Sequence, residues 1–299
     1  MPEEGIQLRD KSEFMTSEEV ITIAKTFVNQ GVDKIRLTGG EPLIKKNAAY
    51  IITELGKLPV ELGITTNGIL VDQYIDVFKD SGLKSVNVSL DSLKKDKVNE
   101  ITRRNFADRI FSNIELLIKE DFNVKLNVVL IKGVNDDEIL DFIQLTRQWP
   151  VSVRFIEFMP FNGNNWERDK TISFNEIVHK AKNKFGEKVI KLTDKRNDTT
   201  RNFKIKNYKG SFGIISTVTN PFCDTCNRIR LTADGKIKNC LFSTNEFDLL
   251  TALRNNEAIL PIIQKAIILK RKSKAGFGNF TDSKVKIYAS NRSMTAIGG

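Results

Sequence analysis

Asp33–Thr38, read DKIRLT, runs directly into Gly39-Gly40-Glu41-Pro42. The first six residues read as a strand, and GGEP cannot continue regular structure, so the strand ends in a tight loop. The same pattern recurs on both sides of this stretch. Upstream, residues 1–15 are polar and irregular. Thr16-Ser17-Glu18-Glu19 then looks like a helix start, with Thr16 as cap and Glu19 three residues on. Val20, Ile23, Ala24, Phe27 and Val28 fall on one helical face, and Gly31 ends the run. Downstream, helices are predicted around 44–57, 71–81, 107–120 and 135–148. Between them lie strands Glu61–Thr66 (ending in Thr65-Thr66-Asn67-Gly68), Ser85–Asp91 (SVNVSLD), Val124–Ile131 and Val151–Phe158 (VSVRFIEF). Five strands beginning near 33, 61, 85, 124 and 151, each separated by a helix, call for right-handed βαβ units. The fold class is α/β with a parallel sheet, open or closed into a barrel.

Polar residues gather where these strands end: Gly39-Gly40-Glu41, Thr65-Thr66-Asn67, Ser89 to Asp91 and Glu157 to Met159. In parallel α/β folds that edge carries the ligand site. Any one of them alone is more often a cap or a turn. GGEP is not a phosphate-cradling P-loop, but two glycines let a backbone approach a ligand closely, and Glu41 offers an acceptor for an ammonium group.

After Phe158 the rhythm breaks. Met159–Lys170 is loop-like and a helix fits 173–185. Short strands such as Phe203–Ile205, Phe212–Thr217 and Ile229–Thr232 follow, and two helices fit 246–268. The basic cluster Lys270-Arg271-Lys272-Lys274 then leads to a polar tail ending Gly298-Gly299. The expected division is residues 1–165 and 166–299. A chain of 299 residues suits two such domains, or one barrel using most of it.

The composition is that of a globular chain, 40% hydrophobic and 28% charged. No run of about 18 apolar residues is present, so no membrane partner is expected. The first residues carry no basic and apolar leader pattern, so no secretory signal is expected. A net charge of +10 suits solubility or attraction to a polyanion such as a nucleotide or nucleic acid, and charge alone does not choose between them.

All three cysteines, Cys223, Cys226 and Cys240, lie in PFCDTCNRIRLTADGKIKNCLF, residues 221–242. An odd number confined to one segment argues against a disulfide framework and for a reducing cytoplasm and a metal. Zinc would need a fourth ligand, from a carboxylate, from a second chain, or from His179, the lone histidine, which reads as a surface helix residue. An iron–sulfur cluster on three thiolates leaves one iron open. Three core cysteines are the remaining reading. Arg228 and Arg230 alternate with Ile229 and Leu231, so on a strand both face one side and can grip phosphate oxygens.

Together, LTGGEPL, TTNG, NVSLD, RFIEFMP, the cysteine segment and the terminal Gly-Gly resemble the molybdenum cofactor biosynthesis protein A family. These are radical S-adenosylmethionine enzymes also known as GTP 3′,8-cyclases. The resemblance runs from Met1 to Gly299. It implies a partial parallel (βα)6 TIM-type barrel followed by a C-terminal mixed α+β iron–sulfur region. It implies a cytoplasmic enzyme, with a homodimer left open and no nucleic-acid partner. The implied reaction uses a 5′-deoxyadenosyl radical to abstract hydrogen from the ribose C3′ of GTP. The product, 3′,8-cyclo-7,8-dihydro-GTP, passes to a cyclic pyranopterin monophosphate synthase. By match, Cys223, Cys226 and Cys240 would hold the C-terminal [4Fe–4S] cluster. Arg36, Thr65, Lys125, Arg228 and Arg230 match GTP-contacting positions. Gly40, Ser89 and Met159 match S-adenosylmethionine contacts, and Gly298 and Gly299 match a tail that assists catalysis.

The sequence departs from the family in one respect. The CxxxCxxC loop that holds the S-adenosylmethionine-cleaving cluster is not among these residues, and MPEEG resembles the stretch that follows it. The expectation is a truncated family member missing its first barrel strand, inactive by itself. The alternative is a non-catalytic, single-cluster GTP-binding homologue, and a zinc-containing nucleic-acid-binding module is a third reading.

Overall fold

The computed structural model describes residues 10–162, 164, 166–271 and 292–294. The α/β alternation is present. Helix α1 (Ser17–Asn29) starts as the sequence predicts: Thr16 Oγ1 accepts from Glu19 N at 3.2 Å, and Thr16 N donates to the Glu19 carboxylate at 2.7 Å. Then follow β1 (Lys34–Leu37), α2 (Ala48–Gly56), β2 (Glu61–Thr66), α3 (Ile75–Asp80), β3 (Ser85–Ser89), α4 (Lys95–Thr102) and α5 (Ala107–Lys119). Next come β4 (Asn123–Leu130), α6 (Ile139–Leu145), β5 (Ser152–Glu157) and α7 (Phe174–Phe185).

Beyond α7 the chain makes β6 (Val189–Lys191), β7 (Arg201–Ile205) and β8 (Ser211–Ile215). These join the same sheet, whose order is β1-β2-β3-β4-β5-β8-β7-β6. Strands β1 to β5 and β8 are parallel, while β7 runs the opposite way and pairs antiparallel with both β8 and β6. The strand expected at 212–217 is therefore the sixth parallel strand, and the sheet takes residues from both sides of position 165.

Strand alternation divides this sheet into two unlike faces. Leu62, Ile64, Val86, Val88, Val124, Leu126, Val128, Val153, Phe155, Phe212 and Ile214 lie on one, all buried, and form the main core with the helices. Each such aliphatic side chain contributes about 1.5–3 kcal/mol by burial. The opposite face is polar, and in-register pairs place Thr65 beside Asn87, Asn87 beside Lys125, and Asn127 beside Arg154.

A small antiparallel sheet, β11 (Phe247–Asp248), β10 (Lys236–Lys238) and β9 (Arg230–Leu231), with α8 (Leu250–Arg254) and α9 (Leu260–Ile268), covers α1. Ile23 and Phe27 of α1 pack in one cluster with Ile237, Leu250 and Ile263. Arg254 pairs with Glu19 at 2.7 Å and donates to the carbonyls of Ser12 and Phe14. Among the described residues no helix is long and apolar enough to cross a membrane.

Three predicted helices are shorter than expected. Pro42–Ile44, Val71–Gln73 and Asp136–Glu138 are single 3-10 turns that precede α2, α3 and α6. Helix α4 was not expected; it is polar, buries only Val98 and ends on Arg103 with φ 54°, where glycine would be the usual signal.

Candidate functional site

The polar face of the sheet gathers three cations. Arg36 on β1, Lys125 on β4 and Arg154 on β5 lie close enough to perturb one another. Burial, then the charges of Arg154, Arg36 and Lys34, push the Lys125 ammonium down to about 8. Burial, then Arg36, pushes the Arg154 guanidinium down to about 10. Burial also lowers Arg36. The polar contacts of two of them are neutral: Arg36 Nη1 donates to the Ile64 carbonyl at 3.3 Å, and Lys125 Nζ to Ser85 Oγ at 2.8 Å. Among the described residues none of the three forms an ion pair, and Arg154 Nε has no hydrogen-bond partner. Asn87 Oδ1 and Asn127 Oδ1, on the same face, are likewise buried without partners. Gly63 makes room for this cluster, since a Cβ there would sit 3.2 Å from Arg36 Nη1. Glu61 partly offsets the charge of Arg36 and Lys125, and Asp198 that of Arg154, but neither carboxylate is ion-paired with the trio; partly desolvated cations gathered in this way suit a multiply charged anion.

The carboxyl edge of the parallel strands carries the next group. Gly40 is exposed, with open space where a side chain would be, and Gly39 turns the chain at φ 133°. Glu41 is committed to this loop. Its carboxylate accepts from Leu43 N (3.1 Å), Thr66 Oγ1 (2.8 Å) and Asn67 N (2.6 Å), which uses most of its acceptor capacity. The Glu41 of the sequence reading, an acceptor for an ammonium group, is thus a tie between the ends of β1 and β2; burial raises its pKa. Ser89 is exposed at the end of β3. Asp91 accepts from Val129 N at 2.8 Å, and burial pushes its carboxyl up to about 6. Thr65 is buried and accepts from Asn87 Nδ2 at 3.4 Å.

The cysteine segment meets this edge at β5. Met159, just past β5, packs in one cluster with Phe161, Val218, Cys240, Leu241, Phe242 and Met294. The three thiols are free and half-buried. Cys226 N donates to Cys223 O at 3.1 Å, closing a turn around the CxxC pair. Burial opposes ionisation of Cys226, but Arg228, whose Nη2 is 3.7 Å from Sγ, and then Lys270 hold its pKa below the usual thiol value. Burial, then Arg228, lowers Arg230 to about 10, while Cys226 and Cys240 both support its charge. Arg230 is therefore within electrostatic reach of two of the thiols. Lys270 Nζ reaches the carbonyls of Arg228 and Asn239, tying the end of α9 to both arms of the segment.

The two arginines do not share a strand as the alternation suggested. Strand β9 begins at Arg230, and Arg228 lies ahead of it, exposed, 5.0 Å over the Phe222 ring. The CxxC turn and the Phe222 contact replace the first pairs of the strand. Gly298 and Gly299 lie outside the described residues, as does Lys272. His179 sits on α7, where Asn183 Nδ2 lies 2.9 Å from its Nε2. Arg154, Asn87 and Asn127 were missed in the sequence, although the alternation in VSVRFIEF, SVNVSLD and NVKLNVV could have placed them on the same face as Lys125.

Among the described residues no three His, Cys, Asp or Glu side chains are gathered around one ion. Three half-buried thiols, with Arg228, Lys270 and Arg230 within electrostatic reach of Cys226 and Arg230 also of Cys240, have the donor type and the positive surroundings that an anionic iron–sulfur cluster would need.

Residues 3–146 match the Radical SAM superfamily and residues 151–276 match Molybdenum Cofactor Synthesis C. The chain is 41% identical over 303 residues to the GTP 3′,8-cyclase of Alkaliphilus oremlandii, covering all of this chain and 92% of that one. It is 41% identical to molybdenum cofactor biosynthesis protein moc-5 of Caenorhabditis elegans, covering 93% of this chain and 47% of that protein. It spans about half the length of the first curated relatives it matches. The crystal structure of Streptococcus suis SuiB bound to S-adenosylmethionine shares the fold, at TM-score 0.52 and 13% identity over 80% of this chain and 55% of that one. On these matches, which span the whole sequence, the chain belongs to the GTP 3′,8-cyclase family.

Proposed function

We propose that this chain holds GTP for radical S-adenosylmethionine-dependent cyclisation to 3′,8-cyclo-7,8-dihydro-GTP in molybdenum cofactor biosynthesis. The observation that carries the reading is the trio Arg36, Lys125 and Arg154, without ion-pair partners on the polar face. It calls for a polyanion, and the triphosphate of GTP supplies one. The nucleoside then extends toward the carboxyl edge, where Arg228, Arg230 and the thiols meet it. Thr65 and Asn87 line the path between.

Cys223, Cys226 and Cys240 would hold the C-terminal [4Fe–4S] cluster. When bound, it supplies an iron free of protein thiolate, open to the guanine. Gly40, Ser89 and Met159 would line the S-adenosylmethionine side: Gly40 admits a close backbone approach, Ser89 offers a hydroxyl and Met159 an apolar contact. Gly298 and Gly299 would act as the catalytic tail. The sheet would curl as a partial barrel, with residues 166–299 supplying the cluster side.

Radical generation needs a second cluster. The 3 cysteines of these 299 residues are all assigned above to the C-terminal cluster, so the role proposed for these residues is to hold GTP and that cluster. The same observation supports the second reading, a GTP-binding single-cluster homologue. A synthase that makes cyclic pyranopterin monophosphate would consume the product, and the cytoplasm is the proposed compartment.

The test is GTP binding by the anaerobically reconstituted chain. GTP and inorganic triphosphate should both bind, and Lys125→Met should weaken both. Binding of neither by the parent chain would remove the proposal.

A further inference from the structure

Glu157 ends β5 and is 1% exposed. It lies on the apolar face, in register with Leu130 of β4. Its carboxylate accepts from Val218 N at 2.7 Å, from Thr219 N at 3.2 Å and from Thr219 Oγ1. Thr219 Oγ1 in turn accepts from Phe174 N, at the start of α7, at 3.4 Å. Residues 218–219 belong to the loop that leaves β8 and reaches Cys223 four residues later. Two residues beyond Glu157, Met159 packs in the cluster that contains Val218 and Cys240. The end of β5 thus touches both arms of the cysteine segment, one by charge-assisted hydrogen bonds and one by packing. Its other neighbour along the strand, Phe155, lies in the core, so the carboxylate is fixed to the rigid part of the sheet.

We propose that Glu157 is a positioning residue that sets where Cys223 and Cys226 stand relative to the polar face of the sheet. The proposal rests on the function given above. If the triphosphate sits on Arg36, Lys125 and Arg154, and the base meets the thiol-held group, the separation of the two ends must match the nucleotide. Glu157 connects them: Arg154 lies three residues before it on the same strand, and the loop to Cys223 hangs from its carboxylate. A carboxylate suits this place because it accepts from two successive backbone N–H groups and a hydroxyl at once.

Hydrogen exchange read by mass spectrometry, with electron paramagnetic resonance of the reduced, reconstituted chain, tests this. In Glu157→Ala, amides of residues 216–226 should exchange about tenfold faster, with β2 to β4 changed less than about twofold. Glu157→Gln, which keeps one acceptor, should fall between Ala and the parent. Iron content should stay at the parent level, while the change that GTP causes in the cluster signal should be lost in Glu157→Ala and partly restored in Glu157→Gln. Should Glu157→Ala fail to fold, Thr219→Val decides, with about threefold faster exchange expected over the same loop. Unchanged exchange at 216–226, an equal rise across the whole sheet, or a parent-like GTP response would overturn the proposal. A parent chain that holds neither iron nor GTP would sink the proposed function, and the exchange pattern would still decide the role of Glu157.

Discussion

Lys125 on β4 and Arg154 on β5 stand on the same face of neighbouring strands, and, after burial itself, the Arg154 charge is the main reason the Lys125 ammonium titrates near 8. Two cations in mutual repulsion are unfavourable in the empty site. An arriving polyanion removes the repulsion and restores Lys125 to full charge. The cost to the folded state is what favours the ligand.

This predicts the pH dependence of binding. Below about pH 8 Lys125 is charged and triphosphate affinity is at its plateau; above it, affinity falls by up to about tenfold per unit. Stability moves the other way. The folded pKa lies below the unfolded value of about 10.4, so the unfolded chain binds more protons between the two, and stability rises with pH through that window. Lys125→Met should raise the urea midpoint at neutral pH while weakening nucleotide binding. Lys125→Arg should bind triphosphate without the limb near pH 8.

Arg154→Ala should weaken GTP and inorganic triphosphate together, by about 10- to 100-fold, the loss of a charge-assisted contact. It should also shift the Lys125 limb to higher pH, since it removes the largest charge acting on that ammonium. Titration calorimetry at several pH values reads both effects.

Glu41→Ala should act on stability. It leaves the N–H groups of Leu43 and Asn67 and the Thr66 hydroxyl without their common acceptor. A loss of about 2–3 kcal/mol is expected in urea unfolding, with triphosphate affinity at pH 7 changed less than about threefold.

Cysteine replacement and metal removal should separate the two ends of the site. Cys223→Ser, Cys226→Ser and Cys240→Ser should each lower the iron content of the reconstituted chain. Chelation of iron from the parent should leave binding of inorganic triphosphate unchanged and reduce GTP to the affinity of triphosphate alone.

Much of this fold is legible in the sequence because the parallel strands are buried on one face and alternate on the other. DKIRLT and SVNVSLD end in polar residues and VSVRFIEF carries Glu157 one residue before its end, and the structure puts those edges together. What was not legible depends on long-range pairing. Nothing local says that Ser211–Ile215 lies beside Ser152–Glu157, and without that pairing Gly213 opposite Arg154 is invisible. Lys95–Thr102 was missed because its chain is polar and its end uses Arg103 rather than glycine in the left-handed region. Glu41 and Glu157 were visible as edge acids. Their work as ties to backbone N–H groups depends on which loops the fold brings to them.

The most direct measurement is calorimetric titration of GTP and inorganic triphosphate into the anaerobically reconstituted chain, comparing the parent with Lys125→Met/Arg154→Ala at equal iron content. The parent should bind both ligands, and the double variant should lose at least about 100-fold for each while keeping its iron. Parent-like affinity for GTP in the double variant would contradict the placement of the triphosphate on this face of the sheet.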